Sequence, residues 1–127
     1  MTRINVVPVE ELTREHLIAE YKEIVRPFAL VRKAVASNTM KNKVIPKEYT
    51  FGSGHVLHFY NKLGYVLDRY HSLTNEMIKR GYKPNPVSDE DLLVDIPKGF
   101  MQQYTPTEEA LKINRDRIAL RLSGVKE

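Results

Sequence analysis

The sequence predicts an all-α fold, a compact single domain of three main helices with irregular loops. Three observations carry that expectation. The chain has 127 residues, 42% hydrophobic and 28% charged, which is globular composition on a chain long enough to bury a core without metals or disulfides. Apolar residues recur at steps of three and four in two long segments, with a third segment opened by a helix-start pattern. The β-like runs Val6-Val7 and Val44-Ile45 are too short to argue a sheet. No repeat, low-complexity tract or linker divides the chain, so the domain is expected to span residues 1–127.

The first helix is expected from about Thr13 to Ser37. Leu17, Tyr21, Ile24, Phe28, Val31 and Val35 form its core stripe, and Pro27 should kink it by removing a backbone donor. His16, Ala19, Lys22, Glu23 and Arg26 project into the opposite arc, a polar face that needs no more than water to explain it. The second helix is expected from the Gly52-Ser53-Gly54 turn to Arg80, with Val56, Phe59, Tyr60, Leu63, Leu67, Tyr70, Leu73 and Met77 mostly inward and Gly81 as its stop. Pro84, Pro86, Pro97 and Gly99 then break the chain into loops, and Ser88 can cap a short turn over Asp89 to Leu93. The third helix is expected to start at Thr105 as N-cap, with Pro106 in the first turn and Glu108 completing a capping box, and to run to about Leu122.

Charge is unevenly placed. Residues 1–50 hold nine Lys/Arg against six Asp/Glu, residues 51–110 six against eight, and residues 111–127 five against two. If the two basic ends meet in the fold, they form one positive surface suited to a polyanion such as DNA; solvated charge in a basic protein is the plainer alternative. The absence of cysteine excludes a disulfide scaffold, a thiolate metal site and a cysteine nucleophile. With no long apolar run and no signal-peptide stretch after Met1, no membrane span is expected, and the protein reads as soluble and cytoplasmic.

Familiar catalytic patterns are missing: no His-Glu-x-x-His, P-loop, nucleophile elbow or calcium loop occurs. His55 and His58 lack a third ligand at a known spacing and are read as structural or DNA-proximal, with no metal site. The Gly52-Ser53-Gly54 turn and the acidic cluster of Asp89, Glu90, Asp91 and Asp95 are read as a helix entry and a solvated loop. The N-terminus is more informative. Thr2 is a small residue before which the initiator methionine is commonly removed, and removal exposes an α-amine. Such an amine has a pKa of about 7.7–8.0, so part of it is neutral and nucleophilic near physiological pH. Its attack on a sugar C1′ or an aldehyde gives a Schiff base.

Met1-Thr2-Arg3-Ile4-Asn5, His16-Leu17, Ala19-Glu20-Tyr21-Lys22-Glu23, Arg26 and Val31-Arg32-Lys33 together resemble the phage endonuclease V family of pyrimidine-dimer DNA glycosylases with AP lyase activity. Gly54-His55-Val56, Phe59-Tyr60-x-Lys62-Leu63, Lys79-Arg80-Gly81 and Asp95-Ile96-Pro97 continue the resemblance in order, and Arg117 with Arg121 falls on the family's basic last helix. The resemblance implies that the Thr2 amine attacks C1′ of the damaged nucleotide and that Glu23 stabilises charge on the sugar and assists proton transfer. It implies phosphate-holding roles for Arg3, Lys22, Arg26, Arg117 and Arg121, and a place for His16 beside the catalytic centre, where packing is the rival explanation. No metal or organic cofactor is implied. The implied partner is double-stranded DNA carrying UV damage, bound by a monomer.

Two departures bear on this. Lys22 stands where the family has arginine, which keeps the charge and loses the planar fork. The chain also stops at Ser123-Gly124-Val125-Lys126-Glu127, without the aromatic-rich basic tail of the best-known members, so selectivity for the dimer is the expectation most exposed. The alternatives are a glycosylase/AP lyase for a different base lesion and a non-enzymatic DNA-binding module of the same fold.

Overall fold

The apolar stripe that begins at Leu17 forms on two helices instead of one. In the computed structural model, which describes residues 3–123, α1 spans Arg14–Glu23 and α2 spans Arg26–Ala36. Thr13 caps α1, its side chain accepting from the His16 N–H. Pro27 causes the break: it has no N–H for the Glu23 carbonyl four residues back and sits in the first turn of α2, where that donor is not needed. Ile24 and Val25 keep right-handed helical dihedrals, so the helices follow one another without a loop. Glu23 thus ends α1 and Arg26 begins α2.

The second expected helix starts later than its apolar pattern suggests. Gly52–Gly54 and Leu57–Phe59 are single 3-10 turns, and α3 spans Leu63–Lys79. Two glycines weaken any helix through this stretch. His55 and His58 also bond the carbonyls of Thr50 and Pro46, so ties to the preceding loop replace a regular ladder. Gly81, at φ +90°, ends the helix as expected. At the other end of α3, a Cβ on Gly64 would lie 2.8 Å from the Met101 carbonyl oxygen, so only glycine admits the loop around residue 101 so closely.

The short helix α4 spans Asp89–Leu93 with Ser88 as N-cap. Arg32 of α2 binds its far end, donating to the carbonyls of Leu92 at 2.8 Å and Val94 at 2.7 Å. The last helix, α5, spans Glu108–Leu122, and its N-cap is Thr107 rather than Thr105. The Thr107 side chain accepts from the Ala110 N–H, so Glu108 is a first-turn charge facing the helix dipole instead of a capping-box partner.

Among the described residues there are five α-helices and no strand, only an isolated antiparallel bridge between Lys62 and Met101. The all-α expectation holds, with the first helix divided and the expected turn over Asp89–Leu93 forming α4. One core joins Leu17, Phe28 and Val31 to Phe59, Leu63 and Leu73, and Ile4 and Val7 of the N-terminal segment are buried with them. No helix among the described residues is long and apolar enough to cross a membrane.

A polar network crosses this core. Glu20 and Arg69 are buried together as an ion pair, with Nε and one terminal nitrogen of the guanidinium donating to the two carboxylate oxygens. Removing one member of such a pair strands the other charge, at a cost of about 3–5 kcal/mol.

Candidate active site

The N-terminal segment, the outer face of α1 and the end of α5 enclose a cleft of about 240 Å³. Arg3, Asn5, His16, Glu20, Glu23 and Arg121 contribute to its walls. Four residues singled out from the sequence therefore meet here: Arg3, His16, Glu23 and Arg121. Lys22 and Arg26 line a broader neighbouring groove of about 530 Å³, which shares Glu15, Ala19 and Glu23 with the cleft. Arg117, one helical turn before Arg121, packs over Phe51 with its guanidinium carbon 4.5 Å from the ring centre, and Arg3 approaches the same ring at 5.6 Å. The two basic ends of the chain do meet. Thr2 lies outside the described residues, and its covalent neighbour Arg3 is on the cleft wall.

Helical spacing explains the grouping on α1, because His16, Ala19 and Glu23 follow one another by three and four residues. The break before Pro27 then sets Glu23 at a helix end, where Arg26 approaches its carboxylate at 3.6 Å. That pair is too exposed at Arg26 to contribute much stability. Glu23 stands where the cleft and the groove adjoin, with Glu15 beside it on both walls and Arg26 within reach.

The N-terminal segment is held by side chains. Residues 4–7 have no strand partner, so their buried backbone groups need other bonds. The Ile4 N–H donates to His55 Nε2 at 2.8 Å, and the Ile4 carbonyl accepts from the Tyr49 hydroxyl at 2.8 Å. Asn114 Oδ1 accepts from the Val6 and Val7 N–H groups at 2.7 and 3.1 Å, while Arg69 donates to the Val7 carbonyl at 2.6 Å. Asn5 donates to Glu20 and accepts from Asn114, both at 2.8 Å. The ion pair in the core and the segment leading into the cleft are one bonded unit.

The histidines beside this unit are biased to the neutral form. Burial, then the positive charges of Arg3 and Arg121, push His16 below the ordinary imidazole value. Its Nδ1 lies 2.9 Å from the Thr13 hydroxyl, so His16 both packs at the helix start and faces the cleft. Burial pushes His55 down to about 4. Because Nε2 accepts from Ile4, the proton of neutral His55 sits on Nδ1 and is donated to the Thr50 carbonyl at 2.7 Å. Both ring nitrogens are engaged, which agrees with the structural reading of His55. His58 Nδ1 likewise bonds a backbone carbonyl, that of Pro46 at 2.9 Å.

Asn5, Glu20, Tyr49, Phe51, Arg69 and Asn114 are functional-site supports that the sequence reading did not single out. For two of them a signal exists. Glu20 stands three residues after Leu17 and four before Ile24, and Arg69 three after Val66 and four before Leu73, so opposite charges occupy core-facing positions on two helices. Such charges fold only when paired.

A family model described as pyrimidine dimer DNA glycosylase matches residues 1–89. The matched span includes Thr2, Arg3, His16, Lys22, Glu23 and Arg26. Arg117 and Arg121 lie beyond it and join the site by geometry: one packs on Phe51, the other lines the cleft. With more than half of its length matched, the chain belongs to the pyrimidine dimer DNA glycosylase family.

Proposed function

We propose that the protein is a bifunctional DNA glycosylase and AP lyase in which the α-amine of Thr2, exposed by loss of Met1, is the nucleophile. The amine attacks C1′ of the damaged nucleotide, and the glycosidic bond to the dimer breaks as the N–C1′ bond forms. Opening of the C1′–O4′ bond gives a protonated imine. The imine accepts electrons when a C2′ proton is removed, and the C3′–O bond to the 3′ phosphate breaks. Water then hydrolyses the imine and frees the enzyme.

The observation that carries this reading is the convergence of Arg3, His16, Glu23 and Arg121 on one cleft beside the start of the chain. Glu23 stabilises positive charge on the sugar and takes part in the proton transfers. Arg3, Arg26, Arg117 and Arg121 bind phosphates around the lesion, and Lys22 adds a point charge without a fork. The lesion helps its own recognition, since a dimer weakens stacking and lowers the cost of deforming the duplex.

Borohydride trapping on matched duplexes carrying a thymine dimer, an abasic site or no damage tests the reading. A reduced covalent adduct on the dimer and abasic duplexes is expected. An adduct on the abasic duplex alone leaves the lyase and removes dimer recognition. No adduct, with Met1 shown to be absent, contradicts the imine route and leaves a DNA-binding fold.

A further inference from the structure

The N-terminal segment is anchored most directly at Ile4, whose peptide groups are gripped from both sides. Its N–H is bonded to His55 Nε2 and its carbonyl to the Tyr49 hydroxyl, each at 2.8 Å. Both partners are buried, and their rings contact each other edge-on at 5.4 Å between centres. Neither residue lines the cleft, so neither is in place to touch substrate. Thr2 is only two residues from Ile4, and two residues of chain reach at most about 7 Å. A nucleophile on so short a tether takes its position from the anchor.

We propose that Tyr49 and His55 are positioning residues for the reaction, holding the Ile4 peptide so that the N-terminal amine is fixed at the cleft. The proposal rests on the reading that this amine is the nucleophile. Misplacing a reacting atom by about 1 Å can cost on the order of a hundredfold in rate even when binding is intact. The same loop carries Phe51, which stacks on His55 at 4.9 Å and lies under Arg117; that ring and its cation are left in place by the variants that follow.

Three variants test the anchor in the full chain with Met1 removed. Tyr49→Phe deletes a single hydroxyl and keeps the ring that fills the core. His55→Leu removes the acceptor for Ile4, whereas His55→Gln offers an amide oxygen where Nε2 stood. Single-turnover imine formation is measured by borohydride trapping on an abasic duplex, and affinity on a duplex carrying tetrahydrofuran, an abasic analogue that cannot form an imine. Tyr49→Phe and His55→Leu are expected to slow imine formation about tenfold or more while leaving affinity within about twofold, and His55→Gln to recover part of the rate. A purely structural role would move melting temperature and affinity together, without that split.

If Tyr49→Phe, folded as judged by its melt, traps at the parent rate, the positioning role is wrong although the amine mechanism stands. If the parent protein itself forms no imine, the mechanism fails first. Should His55→Leu not fold, Tyr49→Phe and His55→Gln still decide the outcome.

Discussion

Arg117 rests its guanidinium 4.5 Å from the centre of the Phe51 ring, on the same aromatic side chain that stacks with His55. A planar cation over a ring face is held in orientation while its terminal nitrogens stay able to donate, which suits the phosphate contact proposed for Arg117. Phe51→Leu keeps most of the apolar volume and removes the ring. With a cation–π contact of about 0.5–1 kcal/mol, affinity for undamaged duplex should fall roughly two- to fivefold, read by fluorescence anisotropy at constant salt. Unchanged affinity would show that Arg117 does not depend on the ring.

Glu23→Gln preserves size and removes the carboxylate at the junction of α1 and α2. Dimer cleavage in single-turnover assays should drop by about 10² to 10⁴, the usual range for losing a general acid–base group. Binding of damaged duplex should hold or tighten, because a negative charge beside the phosphates is gone. Full cleavage activity in this variant would remove Glu23 from the mechanism.

The cations of the groove and cleft should be visible in the salt dependence of binding. Each phosphate neutralised contributes about 0.9 to the slope of log affinity against log salt, so Lys22→Ala, Arg26→Ala and Arg121→Ala should each flatten that slope by about one. Lys22→Arg should leave the slope alone and tighten binding at the lesion by supplying a forked donor. A slope unaffected by all three alanine variants would place the DNA elsewhere.

Acid should weaken the fold through His55. Its folded value is about 4, below the ordinary imidazole value of 6.5, and Arg3, Arg117 and His58 all press in the same direction as burial. The unfolded chain therefore binds a proton that the native state refuses between those limits. The resulting stability is fully present above pH 6.5 and is lost as the pH falls towards 4, by roughly 3 kcal/mol. Urea melts at several pH values should show this slope, and His55→Gln should flatten it; parallel slopes in the two proteins would assign the effect to His16 or His58.

Much of this architecture is legible in the sequence because it is local. The stripe from Leu17 through Val31, the start of the first helix near Thr13, the turn capped by Ser88 and the stop at Gly81 each depend on residues within a turn or two. The same locality put His16, Glu23 and Arg26 on one side of α1 and its continuation. Errors arose where two local signals competed, as with Thr105 and Thr107 around Pro106, or where side chains bonded out of register, as His55 and His58 do before α3.

The supports of the site were harder to see because their partners are distant in the chain. Asn114 bonds residues 5 to 7 across more than a hundred positions, and His55 reaches Ile4 across fifty-one. No periodicity marks an asparagine or a tyrosine for such a task. Only Glu20 and Arg69, charges standing on apolar faces, announced that something had to meet them.

Mapping the trapped adduct shows which nitrogen becomes bonded to the sugar. Protein reduced with borohydride on an abasic duplex, digested and read by mass spectrometry, should carry the sugar remnant on the α-nitrogen of Thr2 in a peptide lacking Met1. A remnant on Lys22 or another lysine side chain would contradict the account.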